Sequence, residues 1–147
     1  MNTRPILLVE DNPDDVELTR IAFAEAKIAN PLHVVGNGEE ALDYLFERGR
    51  YAGDGHTGQP ALVLLDLNMP RMDGREVLQA IRAAPDTRSL PVVVMTTSTE
   101  PFDVDACYSL GANSYIRKPV DFEQFMSAVK QVGMYWLVLN QPRPGGP

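Results

Sequence analysis

The stretch Val63-Leu64-Leu65-Asp66-Leu67-Asn68-Met69-Pro70 decides the fold. Its apolar run has no helical period, which predicts a strand buried on both faces of a sheet. The run ends in Asp66. A carboxylate is costly to bury without a partner, so Asp66 is expected to face a crevice at the strand's carboxyl end, where open α/β sheets keep their chemistry.

Upstream, Pro5-Ile6-Leu7-Leu8-Val9 is a second apolar run and stops abruptly at Glu10-Asp11. Asn12 then reads as an N-cap, with Pro13 in the first turn and Asp14 and Asp15 against the positive end of the helix dipole. Leu18, Ile21, Ala22 and Ala26 follow at helical spacing, and Asn30-Pro31 is expected to stop that helix before a short strand, Leu32-His33-Val34-Val35. Asn37-Gly38 opens a second helix with apolar positions Ala41, Leu42, Leu45 and Phe46. Gly49 to Pro60 has no period and predicts an extended surface loop, either a recognition loop or a tolerated insertion.

Downstream, Asp73-Gly74-Arg75-Glu76 has the look of a cap leading into Val77, Leu78 and Ile81, with Pro85 as the stop. Leu90-Pro91-Val92-Val93-Val94-Met95 predicts a fourth strand running into Thr96-Thr97-Ser98. A helix around Phe102 to Leu110 would end on Gly111, and Asn113 to Arg117 would be the fifth strand, closed by Lys118-Pro119. Asp121 with Gln124 starts a last helix with the stripe Phe122, Phe125, Met126, Val129, Val132 and Trp136. Residues 1–140 are read as one domain, and the proline- and glycine-rich residues 141–147 as a disordered tail. Strands alternating with helices predict an α/β fold, a parallel sheet covered on both faces.

With 147 residues, 44% of them hydrophobic, the chain suits one domain with a sizeable core. Its net charge of -7, from 20 acidic and 13 basic residues, argues against nucleic acid or an anionic membrane surface as a partner. No run approaches the roughly 18 to 20 apolar residues of a membrane span, and the first residues lack a signal peptide's apolar region, so a cytoplasmic protein is expected. Cys107 is the only cysteine. It is expected to be a small core residue, and neither an internal disulfide nor a cysteine metal cluster is open to the chain. His33 and His56 join no constellation and read as ordinary strand or surface residues.

If the sheet is parallel, Glu10, Asp11, Asp66, Asn68, Thr96 and Lys118 converge on one edge. Singly, each has a plainer reading: an Asp after a strand caps a turn, and a terminal Lys is solvated. Together they make a charge problem. Three carboxylates within a few ångströms repel one another, and a hard divalent cation with oxygen ligands, Mg2+, relieves that repulsion. The lack of clustered His and Cys speaks against zinc. Lys118 would supply a point charge for an anion and Thr96 a hydroxyl, so the set is suited to holding a phosphoryl group on Asp66 as nucleophile.

In combination, Leu-Val-Glu-Asp-Asn, Leu-Leu-Asp-Leu-Asn-Met-Pro-Arg-Met-Asp-Gly, Val-Val-Met-Thr-Thr-Ser and Tyr-Ile-Arg-Lys-Pro resemble the receiver domain of two-component response regulators over nearly the whole chain. The resemblance implies a flavodoxin-like, doubly wound (βα)5 fold with strand order 2-1-3-4-5. It implies a phosphoacceptor rather than a turnover enzyme, with Asp66 taking its phosphoryl group from a sensor histidine kinase. It further implies Mg2+ held by Asp11 directly, by Glu10 through water, by Asp66 and by the backbone carbonyl of Asn68. Thr96 and Tyr115 would be the switch pair, Lys118 the phosphoryl contact, and the bond to Pro119 cis. The loop before the third strand, the Thr96-Thr97-Ser98 run and the last helix with Trp136 resemble the single-domain regulators paired with bacterial phytochrome kinases, without an output domain.

The last helix stays apolar through Met134, Tyr135, Leu137, Val138 and Leu139, beyond what one face needs. A homodimer through the fourth helix, fifth strand and fifth helix is expected, against the plainer reading of a helix tucked onto its own domain. Two other classes remain on this architecture. A phosphatase with an aspartyl-phosphate intermediate would carry a second acid where Asn68 stands, and a nucleotide or flavin binder would carry glycines or hydroxyls where Glu10-Asp11 stands.

Overall fold

Each predicted apolar run forms a strand, and all of the strands lie parallel. The computed structural model describes residues 4–53, 59–67, 69, 72–96, 101–118 and 122–139. In chain order these form β1 (Ile6–Val9), α1 (Pro13–Glu25), β2 (Leu32–Val35), α2 (Gly38–Leu45), a 3-10 turn (Gly49–Tyr51), β3 (Leu62–Leu65) and α3 (Gly74–Ala83). Then come β4 (Val92–Thr96), α4 (Pro101–Ser109), β5 (Ser114–Arg117) and α5 (Phe122–Met134), which runs on as a π-helical segment, Tyr135–Leu139. The sheet order is β2-β1-β3-β4-β5, the flavodoxin-like order.

The chain leaves β1 toward β2 and then crosses back to build β3, β4 and β5 on the other side. The order reverses beside β1, so the crevice between the carboxyl ends of β1 and β3 is the topological switch point. Val9 pairs with both Val35 and Leu65, and Leu65 with Val94. Glu10 and Asp66 therefore leave their strands side by side.

Period-two alternation divides the strand residues between two cores. Leu7, Val9, Val63, Leu65, Val92 and Val94 pack with Ala41, Leu42 and Leu45 of α2 and Val77, Leu78 and Ile81 of α3. Ile6, Leu8, Leu62, Leu64, Val93 and Met95 pack with Ala22 and Phe23 of α1 and with Phe125, Met126, Val129 and Val132 of α5. Each of the Val, Leu, Ile, Phe and Met side chains stabilises the fold by about 1.5–3 kcal/mol when fully buried. Cys107 lies fully buried in the first core, as expected of a small apolar residue.

The helix starts follow the sequence signals. Asn12 Oδ1 accepts from the backbone N–H groups of Asp14 and Asp15, Asn37 Oδ1 from Glu40, and Asp73 Oδ1 from Arg75 and Glu76. Gly111, at φ 100°, closes α4 while Ala112 N–H donates to Cys107 O at 3.0 Å.

Three expectations are corrected. Helix α1 ends at Glu25, well before Asn30-Pro31, and buries Thr19, Ala22 and Phe23, while Ile21 is exposed and Leu18 only partly covered. Its end is a left-handed cap at Lys27 (φ 58°), with Lys27 N–H on Ala24 O and Ile28 N–H on Phe23 O. That cap folds Ile28 back beside Phe23 onto Gly133 of α5, where an added Cβ would lie 2.5 Å from Ile28 Cδ1 and 2.7 Å from Phe23 Cε1.

Secondly, the segment from Gly49 does not begin as a loop. Tyr51 is buried, its ring meets Tyr44 edge-on, and its hydroxyl lies 3.0 Å from His33 Nε2, so aromatic packing pins a 3-10 turn against β2. His33, an ordinary strand residue of β2 as expected, also stacks on Tyr44 at 4.3 Å between centroids. Residues 54–58 of that segment lie outside the described set. Thirdly, the apolar end of the last helix is partly used at home, because Trp136 and Leu137 pack against the second core while Met134 and Tyr135 stay exposed. The expected start at Asp121 and the tail from 141 lie outside the described residues.

Candidate functional site

The sheet ladder carries the site residues. Glu10 N–H donates to Val35 O at 3.0 Å, Asp66 N–H to Val9 O at 3.1 Å, and Lys118 N–H to Thr96 O at 2.7 Å. Each backbone is thus tied to a neighbouring strand just where its side chain enters the crevice. Asp66 is 7% exposed and Glu10 5%, whereas Asp11 faces solvent. Carboxylate oxygens of Glu10, Asp11 and Asp66 all lie within 4.8 Å of one another.

Among the described residues, Lys118 answers this density of charge. Lys118 Nζ lies 2.5 Å from Glu10 Oε1, 2.8 Å from Asp15 Oδ2 and 3.6 Å from Asp66 Oδ2, with its side chain 9% exposed. Burial works against the ammonium, but hydrogen bonds to Asp15 and Glu10 and the charges of Glu10 and Asp66 outweigh it, and its pKa is pushed up to about 12. Glu10 is pushed the other way from an ordinary salt-bridged acid. Burial raises its pKa to about 7, with Asp66 adding to the rise, and the contacts with Lys118 only partly offset it.

The consequence for stability has a definite sign. The folded chain holds a proton on Glu10 more tightly than the unfolded chain does, so ionisation of Glu10 removes stability between pH 4.5 and about 7 and nothing further above that range. With a chelator present, the stability of Glu10→Gln minus that of the wild type should therefore climb through this interval, by on the order of 3 kcal/mol. Urea unfolding at several pH values measures it, and a flat difference would contradict the assignment. Lys118 contributes in the alkaline range, with stability present below pH 10.5 and lost through about 12.

The remaining expected residues are placed as follows. Thr96 ends β4 on the same sheet edge with its side chain fully buried, and Tyr115 lies on β5, half-buried against the first core. Asn68, Thr97, Ser98 and Pro119, with its expected cis bond, lie outside the described residues. Asp15 was missed. In the sequence it is an acid in the first turn of a helix, a position that the dipole alone explains, and no spacing rule ties it to Lys118.

The donor set at the crevice is all oxygen and carries high negative charge, which fits a hard divalent cation. Such a cation would be held by Glu10, Asp11 and Asp66 and would supply charge neutralisation to an incoming anion.

A doubly wound sheet with an acidic, lysine-bearing crevice at its switch point defines a class of phosphoryl-accepting signalling domains. A model of the response regulator receiver domain matches residues 6–130, and the chain belongs to that family. Among curated relatives, the probable methanogenesis regulatory protein FilR2 of Methanothrix harundinacea is 41% identical, covering 92% of this chain and 85% of its own. Response regulator Rcp1 of Synechocystis is 38% identical, covering 90% and 88%.

Among solved structures, the phosphorylated cyanobacterial phytochrome response regulator RcpA superposes with a TM-score of 0.88 at 38% identity, over 95% of this chain and 98% of that one. The Mn(2+)-bound form of Rcp1 gives 0.87 at 36%, over 94% and 97%. Bacteriophytochrome response regulator RtBRR gives 0.77 at 46%, over 99% and 87%. The chain is a phosphoacceptor signalling domain, homologous to regulators linked to phytochromes.

Proposed function

We propose that this receiver domain accepts a phosphoryl group from a sensor histidine kinase on Asp66, in a Mg2+-dependent reaction, and that it serves a phytochrome, light-sensing two-component system. One observation carries the reading: a nearly buried carboxylate at the switch point, 3.6 Å from a lysine ammonium and within 4.8 Å of two further acids. A carboxylate oxygen of Asp66 attacks phosphorus while the bond to the donor imidazole breaks, and the electron pair of that bond returns to the imidazole nitrogen. The product is an acyl phosphate. Mg2+, held by Glu10, Asp11, Asp66 and the carbonyl of Asn68, would neutralise the charge of the transferring group, and Lys118 would contact its oxygens.

The added phosphoryl group brings roughly one to two negative charges, enough to bias a two-state element. Thr96 and Tyr115 are the element we assign, the hydroxyl of Thr96 turning to the phosphoryl group and Tyr115 turning inward. The resulting change is a signal rather than a product released in turnover. The names of RcpA and RtBRR support a phytochrome kinase as the donor. The net charge of -7 speaks against nucleic acid or an anionic membrane as the receiver of the signal, and among the described residues no helix is long and apolar enough to cross a membrane. We place the domain in the cytoplasm, with its kinase.

Incubation with acetyl phosphate and Mg2+, followed by intact mass, is the direct test. Wild type should gain one phosphoryl mass and lose the capacity in EDTA. No gain, or a gain indifferent to EDTA, would overturn the reading. Phosphotransfer from a phytochrome kinase compared with an unrelated kinase tests the pairing.

A homodimer through α4, β5 and α5 belongs to the same proposal. Tyr108 of α4 is 49% exposed, Met134 and Tyr135 are 40% and 51% exposed, and Ser114, Ile116, Val132, Tyr135 and Trp136 line a groove of about 260 Å³ beside the edge strand β5. Light scattering should give a dimer at tens of micromolar. A monomer with and without beryllofluoride would exclude it.

A further inference from the structure

Lys118 is shared among three carboxylates, and one of them has no place in the phosphoryl-transfer reading. Glu10 and Asp66 belong to the acidic cluster with Asp11, whereas Asp15 does not. Yet Asp15 Oδ2 lies 2.8 Å from Lys118 Nζ, closer than Asp66 Oδ2 at 3.6 Å. The carboxylate sits on a well-anchored turn. Asp15 N–H donates to Asn12 Oδ1 at 3.2 Å, and its carbonyl accepts from Thr19 Oγ1 at 2.7 Å. Thr19 is itself buried, so the first turn of α1 has little room to drift. A lysine ammonium, by contrast, rides on a flexible four-carbon stem and goes where its partners are.

We propose that Asp15 is a positioning residue that competes with the phosphoryl group for Lys118, holding the ammonium on the first turn of α1 until that group arrives. The inference rests on Asp66 as acceptor and Lys118 as its cation. An ammonium has three N–H donors. Glu10 and Asp15 take two of them at 2.5 and 2.8 Å, so an arriving phosphoryl oxygen is offered one donor, and a second only when one of these bonds is released. Of the two, only Asp15 can be neutralised while the three-acid cluster stays whole. Its charge also opposes the incoming anion. Both effects raise the free energy of the phosphorylated state relative to the free one, so Asp15 slows the gain of phosphoryl and hastens its loss.

The test uses the full chain as wild type, Asp15→Asn, Asp15→Glu and Asp14→Asn. Each is incubated with acetyl phosphate and magnesium chloride and followed by intact mass, then again after the donor is removed. Asp15→Asn should gain phosphoryl about fivefold faster and lose it about fivefold more slowly, the scale of one partly shielded charge-assisted hydrogen bond. Asp15→Glu, which restores the charge, should return both rates toward wild type. Asp14, an exposed neighbour of equal charge, reports the general electrostatic effect, and its substitution should move neither rate by more than about twofold. Unchanged rates in Asp15→Asn, a slower gain, or an equal change in Asp14→Asn would each overturn the competition. A wild type that takes no phosphoryl on Asp66 would instead sink the reading beneath it.

Discussion

Asp66→Asn should abolish phosphorylation by acetyl phosphate and at the same time raise the melting temperature of the metal-free protein. The first effect follows from chemistry, because an amide oxygen or nitrogen at this position is no nucleophile toward phosphorus, and no other buried carboxylate of the crevice stands free to replace it. Glu10 is the other one, and its Oε1 is held 2.5 Å from Lys118. The loss should be complete within detection, at least about 1,000-fold. The second effect follows from charge. Asp66 is 7% exposed and shares its surroundings with Glu10 and Asp11, and it raises the pKa of Glu10.

Removing that charge relieves repulsion and gives up the long 3.6 Å contact with Lys118, which keeps its shorter bonds to Glu10 and Asp15. The gain should be on the order of 1 kcal/mol, or roughly 2–4 °C for a chain of this size. Intact mass and thermal melting in EDTA measure the two halves separately. Phosphoryl mass on the variant would refute Asp66 as acceptor, and a lower melting temperature would refute the repulsion account while leaving the acceptor in place.

Gly74→Ala is expected to destabilise the protein and to slow phosphorylation together. Gly74 is the first residue of α3, and an added Cβ would lie 2.7 Å from Asp66 O and 2.8 Å from Leu67 Cα. Both are backbone atoms of the segment that delivers Asp66, so neither can swing aside as a side chain would. Gly74 N–H also donates to Leu67 O at 3.1 Å, which binds the two segments at this distance. Alanine is intrinsically the better helix former by about 1 kcal/mol, so propensity and packing predict opposite signs.

Packing should win, with a net loss of about 2 kcal/mol and a fall of roughly 4–8 °C in melting temperature. Because the forced shift acts on the carbonyl of Asp66 itself, the rate of phosphoryl gain should fall by about tenfold or more. Melting together with the acetyl phosphate time course decides the matter. An alanine variant as stable and as fast as wild type would mean that α3 backs away freely from the site.

The reach and limit of the sequence show in particular residues. Val63 to Leu65 could only be a strand covered on both sides, and the same holds for the runs at Ile6 and Val92. Once the strands were parallel, Glu10, Asp66, Thr96 and Lys118 had to share an edge. Caps at Asn12, Asn37 and Asp73 were equally legible, because a short polar side chain before a helical period has one favourable use.

The face of α1 was not legible. Leu18 and Ile21 fit a helical period as well as Thr19 and Phe23 do, and the choice between them rests on how Phe23 and Ile28 close on Gly133 of α5. From the sequence Tyr51 falls in a loop, because only its neighbours across space, Tyr44 and His33, give its ring a place.

The sequence by itself therefore determined the strands, their parallel alternation with helices and the polar residues at their ends, since apolar runs of that length have a single way to leave water. Tertiary structure alone decided the pairing within the crevice: that Asp15 takes Lys118 at 2.8 Å, that Asp66 stands off at 3.6 Å, and that burial lifts Glu10 to about 7. Charge interaction depends on separation and on shielding from water. Both are set by sheet order and by the packing of α1 against α5, which bring Asp15 and Lys118 together across 103 residues of chain.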